Sequence, residues 1–155
     1  MSSTLPYVPL QWRPQLAVGV EVIDEDHRLL IDLINQVQAI FAQGGTMGEL
    51  TLALEALYNY TQHHFAREEA VMKKSGFPEL ADHVQAHHEL IDRLNNLTEK
   101  ILLAHSRSTT ARDLPKAEQQ ALMRLLRQWL ISHVIQRDLR FRDYLSARGQ
   151  VDAPA

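Results

Sequence analysis

Seven side chains able to ligate metal recur at helix-compatible spacing: His27, His64-x-x-x-Glu68, His83-x-x-x-His87 and His133-x-x-x-x-Asp138. An α-helix turns about 100° per residue, so residues four apart are offset by only about 40° and share a face. His64 and Glu68 meet that condition, as do His83 and His87. His133 and Asp138 are five apart, about 140° round a regular helix. They converge if Asp138 lies on the row Val134, Asp138, Phe141, Leu145 and reaches the site from beside His133. Each of the seven falls in phase with apolar neighbours. A core-facing imidazole or carboxylate is costly unless it is paired or metal-bound. One such histidine alone is more often a hydrogen-bonded core residue than a ligand. Seven converging inside one core would need an improbable internal network, and a metal centre accounts for them together.

Nitrogen and oxygen donors without sulfur suit iron, manganese, cobalt or zinc. Seven ligands are too many for one ion. With two ions, Glu68 and Asp138 can each bridge, giving one oxygen to each metal. Five imidazoles, two bridging carboxylates and a bridging oxide or hydroxide fill all but one position of two octahedral ions. That open position suits a small diatomic ligand. A histidine-rich site carries less negative charge than the glutamate-rich di-iron sites of other bundles. Reversible binding is then favoured over cleavage of the diatomic. Leu130, one turn before His133, and Trp129 and Met72, which also flank ligand positions, are expected to line a dry pocket around it.

Three other histidines serve as a control. His63 shares a weaker stripe with Ala56, Tyr60 and Arg67. His88 shares a polar face with Ala81, Gln85, Asp92 and Asn95, and His105 lies near a helix end. All three are expected at the surface or rim. Asp26 and Glu69 are expected to be solvated or to accept a hydrogen bond from a ligand imidazole, which would fix its tautomer.

The elements that must carry the ligands are four helices. Asp24 to Ala42 forms the first, with the stripe Ile23, Leu30, Ile34, Val37 and Phe41, and Gly44-Gly45 stops it. Thr46 with Glu49 resembles a capping box for the second. That helix carries Leu50, Leu54, Leu57, Thr61, His64, Glu68 and Val71, and ends at Ser75-Gly76-Phe77-Pro78. Glu79 to His105 forms the third, striped by Leu80, His83, His87, Leu90, Leu94, Leu97 and Ile101. Asp113 and Pro115 open the fourth, whose apolar face includes Leu122, Leu126, Trp129, Leu130, His133, Val134, Phe141 and Leu145. The expected fold is all-α, an antiparallel up-down-up-down four-helix bundle over residues 21–148. Residues 1–20, with Pro6, Pro9 and Pro14, form an extended arm packed on it. Residues 149–155 form a frayed tail.

The chain has 155 residues, 45% of them apolar, enough for one domain with a sizeable core. It contains no cysteine, which excludes disulfides, thiolate metal sites and cysteine nucleophiles. The formal net charge is −3, and no basic run points to nucleic acid or an anionic membrane. No apolar stretch approaches the roughly 20 residues that span a bilayer, and the N-terminus does not resemble a secretion signal. A cytoplasmic monomer is expected, with no nucleic-acid partner and no membrane insertion.

Most of the chain, from about Trp12 to Leu145, resembles the hemerythrin family and its single-domain bacterial branch. The matching stretches are Val18-Gly19-Val20, Ile23-Asp24-x-x-His27, His64-Phe65-x-x-Glu68-Glu69-x-x-Met72, His83-x-x-x-His87 and Trp129-Leu130-x-x-His133-x-x-x-x-Asp138. The resemblance implies two iron ions in a non-haem, oxo- or hydroxo-bridged centre that binds dioxygen end-on at one iron. By position, His83, His87 and His133 would hold the coordinatively full iron, and His27 and His64 the iron with the open site. Glu68 and Asp138 would bridge, and Leu130 would line the oxygen pocket. Asp26 departs from the family, whose bacterial members often carry Gln there.

The resulting expectation is reversible dioxygen binding by a carrier, store or supplier, with no catalytic residues. One alternative is an oxygen or redox sensor acting through a protein partner that the sequence does not identify. Another is a di-iron enzyme that reduces nitric oxide or peroxide, or an iron donor.

Overall fold

A computed structural model describes residues 9–105 and 107–149, without the side chains of residues 129–132 and 135. The described chain is helical, with no strand. A 3-10 turn at Pro14–Leu16 leads into helices α1 (Glu21–Gln43), α2 (Met47–Lys74) and α3 (Leu80–Ala104). A second 3-10 turn, Ala111–Asp113, precedes α4 (Lys116–Gln128). A π-helical segment (Trp129–Asp138) then runs directly into α5 (Leu139–Ala147).

The first helix starts three residues earlier than the sequence suggests. Asp24 does not begin it. Its carboxylate reaches back to accept the backbone N–H groups of Val18 at 2.7 Å and Gly19 at 3.2 Å. Those bonds tie the incoming chain to the first turn of α1. The stops and starts otherwise follow local chemistry. Gly44 ends α1 in the left-handed conformation, φ 70°. Thr46 Oγ1 accepts the N–H of Glu49 at 3.0 Å and so caps α2.

The fourth helix is where the expectation of regular α geometry gives way. Its middle ten residues are π-helical. The i→i+5 bonding of that geometry brings a residue and the fifth one after it onto one side. His133 and Asp138 therefore share a face without a sideways reach.

α1 packs on α2 and α2 on α3, while α4 touches α1 and α3 and the π segment touches α3. One apolar cluster fills the middle, with Leu30, Ile34, Leu50, Leu54, Leu57, Leu94, Ile101, Leu122 and Val134 among its members. A smaller cluster of Val18, Ile23, Met72, Phe77, Phe141 and Leu145 closes one end. The expected α1 stripe is wholly buried. On α2 the end of the stripe is turned by one residue, so that Met72 is buried and Val71 is only half-buried.

Leu10, Trp12 and Leu16 pack against the larger cluster. The Leu10 N–H and C=O both bond the Asn35 side chain at 2.8 Å. Arg28 lies over the Trp12 ring at 4.1 Å. Leu5, Tyr7 and Val8 of the expected arm, and residues 150–155 of the expected tail, lie outside the described residues.

Candidate metal centre

All seven expected ligands are buried, and His27, His64 and Glu68 are 0% exposed. α1 brings His27, α2 brings His64 and Glu68, α3 brings His83 and His87, and the π segment brings His133 and Asp138. The two carboxylates lie at the centre, and their oxygens divide the imidazoles into two groups. Glu68 Oε1 is 2.6 Å from His83 Nε2, 3.2 Å from His87 Nε2 and 3.6 Å from His133 Nε2. Asp138 Oδ1 faces the same side, 2.8 Å from His83 Nε2 and 3.1 Å from His133 Nε2. Glu68 Oε2 turns the other way, 3.2 Å from His64 Nε2 and 3.6 Å from His27 Nε2. Asp138 Oδ2 joins it, 3.0 Å from His27 Nε2.

These distances fit a donor set arranged around ions. Two donors about 2.1 Å from one first-row ion and at right angles lie about 3.0 Å apart. His87 Nε2 and His133 Nε2 are 2.9 Å apart. Glu68 Oε2 and both Asp138 oxygens are buried and accept no well-directed hydrogen bond, although imidazole nitrogens stand close by. Two sets of four could each hold an ion: Glu68 with His83, His87 and His133, and Glu68 with His27, His64 and Asp138.

The protonation pattern follows from that crowding. Burial alone would push His27 down, but the Asp138 and Glu68 carboxylates beside it raise it to about 10. The same opposition, burial against Asp138 and Glu68, leaves His83 raised to about 9. His87 goes down, from burial and the neighbouring His133 charge. Burial pushes Glu68 and Asp138 up, yet the surrounding imidazoles hold both carboxyls below the ordinary carboxylate range.

The far nitrogens of two of these rings are also held. His87 Nδ1 bonds Glu69 Oε2 at 2.7 Å, and His64 Nδ1 bonds Asp26 Oδ2 at 3.0 Å. Asp26 is buried, contrary to a solvated reading, and it also accepts from Tyr60 and Arg67. Tyr60 and Arg67 share the sequence stripe of His63, which is expected at the surface. They stand at −4 and +3 from His64, and that spacing is the signal that would have found them.

In the sequence, Phe65 stands out only as part of a motif. Its ring stacks on His87 at 3.7 Å between centroids, interplanar angle 4°, and lies 5.2 Å from His133. It walls the three-imidazole side with apolar surface. Met72, one turn beyond Glu68, is buried in the end cluster. The side chains of Trp129 and Leu130, the other two expected pocket residues, lie outside the described residues. The three control histidines stay apart from the centre. His63 bonds the Asn59 carbonyl on the surface, His88 is exposed, and His105 pairs with Glu118 at 2.7 Å.

The family model for the hemerythrin HHE cation binding domain matches residues 18–141. The chain belongs to the hemerythrin family. It is 29% identical to a bacteriohemerythrin of Stenotrophomonas maltophilia (strain R551-3) over 140 residues, 89% of this chain and 82% of that protein. It is 27% identical to a bacteriohemerythrin of Methylococcus capsulatus over 133 residues, 86% and 93% of the two chains. A crystal structure of a leucine-to-tyrosine mutant of hemerythrin superposes with a TM-score of 0.70, covering 88% of this chain and 97% of that one. At 24% identity that likeness is one of fold. The hemerythrin fold and the buried His, Glu and Asp cluster thus occur together in one helical chain. Among the described residues, no helix is long and apolar enough to cross a membrane.

Proposed function

We propose that this hemerythrin-family chain binds dioxygen reversibly at two iron ions. His83, His87 and His133 hold one, His27 and His64 hold the other, and Glu68 and Asp138 bridge them. The observation that carries this reading is the division of the carboxylate oxygens. Oε1 and Oδ1 face three imidazoles, while Oε2 and Oδ2 face two. The second ion therefore has one protein ligand fewer, and dioxygen would bind there. Two ferrous ions would supply the electrons that hold dioxygen in a reduced, releasable form.

The protein's part is to bind, orient and exclude water. The two carboxylates fix the spacing of the ions. Glu69 and Asp26 orient His87 and His64 through their Nδ1 atoms. Phe65 and Met72 keep the surroundings apolar, and Trp129 and Leu130 are proposed to complete that lining. The helices are proposed to form an antiparallel up-down-up-down bundle over residues 21–148, with residues 1–20 as an arm along it.

The reading is tested by loading the protein with iron, reducing it without air and then admitting air. A visible charge-transfer band should appear and vanish again on deoxygenation. Immediate irreversible oxidation would rule out a carrier. Repeated turnover of nitric oxide or peroxide with a reductant would favour the enzyme reading.

A further inference from the structure

The hydrogen bonds behind His64 run through a cluster of three side chains, Asp26, Tyr60 and Arg67. Asp26 is 4% exposed. Its Oδ2 accepts from His64 Nδ1 at 3.0 Å and Arg67 Nε at 2.9 Å, and its Oδ1 accepts from Arg67 Nη2 at 2.7 Å and Tyr60 Oη at 2.9 Å. The Arg67 side chain is 39% exposed and its guanidinium lies 5.5 Å from the Tyr60 ring centroid. On the opposite side, His87 leans on Glu69, whose side chain is 29% exposed. Among the described residues, Glu69 makes no other hydrogen bond or ion pair. The three-imidazole side is thus backed by a carboxylate that water screens. The two-imidazole side is backed by a buried one with a fixed counter-charge.

The sequence positions sharpen the contrast. Asp26 adjoins the ligand His27, and Arg67 adjoins the ligand Glu68. The cluster therefore bolts α1 to α2 at the level where both carry donors for the same ion. We infer that Asp26, Tyr60 and Arg67 are positioning residues for the two-imidazole side. Tyr60 and Arg67 clamp the Asp26 carboxylate on His64 Nδ1, and the Arg67 charge sets how much of the Asp26 charge reaches the ion. A carboxylate on the far nitrogen fixes the imidazole tautomer and strengthens its donation. In a buried setting that charge is weakly screened, so its compensation matters. This inference rests on the two-iron reading above.

The test is a set of iron-loaded variants measured by reduction potential and iron content. Asp26→Asn removes the negative charge. It should move the potential positive and weaken retention of one of the two irons, by about 10- to 100-fold. Arg67→Gln leaves the Asp26 charge uncompensated and should move the potential negative. Tyr60→Phe should shift it slightly in that same negative direction. Arg67→Lys keeps the charge at a part-exposed position and should stay near the parent value. Loosened packing would move every variant one way, so the opposed signs are the discriminating result. Asp26→Asn and Arg67→Gln shifting alike, or neither shifting while both hold two irons, would overturn the inference. A parent protein that holds no iron pair would instead sink the metal reading itself.

Discussion

Adding metal to the metal-free protein should release protons, and the structure sets how many. An imidazolium has no lone pair to give, so each protonated ligand must lose its proton on binding. His27, raised to about 10, and His83, raised to about 9, are both protonated near pH 7 in the metal-free form. Glu68 and Asp138 are held low and bring no proton. The same two carboxylates also raise His133; loading should therefore release at least about two protons per chain at pH 7, and the apparent binding constant should rise at least roughly 100-fold per pH unit between about pH 7 and 8.5. The slope should flatten as pH passes 9 and then 10. The metal-free fold should respond in the opposite sense. A histidine pKa raised on folding adds stability in full below about 6.5, the unfolded value, and that contribution is lost as pH rises through 9 to 10. Calorimetric titration with cobalt(II) in buffers of different ionisation enthalpy measures the proton count directly. Release of less than one proton at pH 7, or affinity indifferent to pH, would refute the reasoning.

Four further outcomes are expected. Removing Glu68 or Asp138 by alanine substitution should lower metal content sharply, whereas His63→Ala and His88→Ala should leave it at the parent level, by elemental analysis of the purified chains. Metal-free protein should lose near-ultraviolet circular dichroism and melt at a lower temperature than the loaded form, because seven polar side chains then stand in the core without their ions. Phe65→Ala removes a buried ring stacked on His87 and should cost about 3–5 kcal/mol in denaturant unfolding of the loaded protein. Deleting the exposed Gln136 should leave both metals bound, since it converts the i,i+5 pair in a π segment into an i,i+4 pair on a regular helix. Loss of one metal in that deletion would show that the π segment is required for more than spacing.

How far the sequence reveals this protein depends on periodicity. His27 lies three and four from buried Leu30 and Ile23, Glu68 from Phe65 and Met72, and His83 three from Ala86, while His64 and His87 stand four from Glu68 and His83, so the helix faces that carry all five could be read directly. His133 and Asp138 could be named but not placed, because five-residue spacing belongs to no regular α face. A π segment is set by packing around the centre and leaves no composition signal. Asp26 was legible as a possible acceptor for a neighbouring imidazole, the role it takes behind His64. Tyr60 and Arg67 read as surface, and only the packing of α1 on α2 brings them to the Asp26 carboxylate. The start of α1, expected at Asp24, lies at Glu21, and Asp24 bonds backward to Val18 and Gly19. Phe65 follows His64, and its stacking on His87 depends on how α2 meets α3.

The central claim is that the division of the carboxylate oxygens into a three-imidazole side and a two-imidazole side makes one dioxygen site per chain. Oxygen uptake by the reduced, iron-loaded protein tests it most directly. The account predicts two irons per chain, one dioxygen taken up per iron pair, and recovery of that gas under vacuum with the protein returned to its reduced state. Uptake without recovery, or a single tightly held ion per chain, would contradict it.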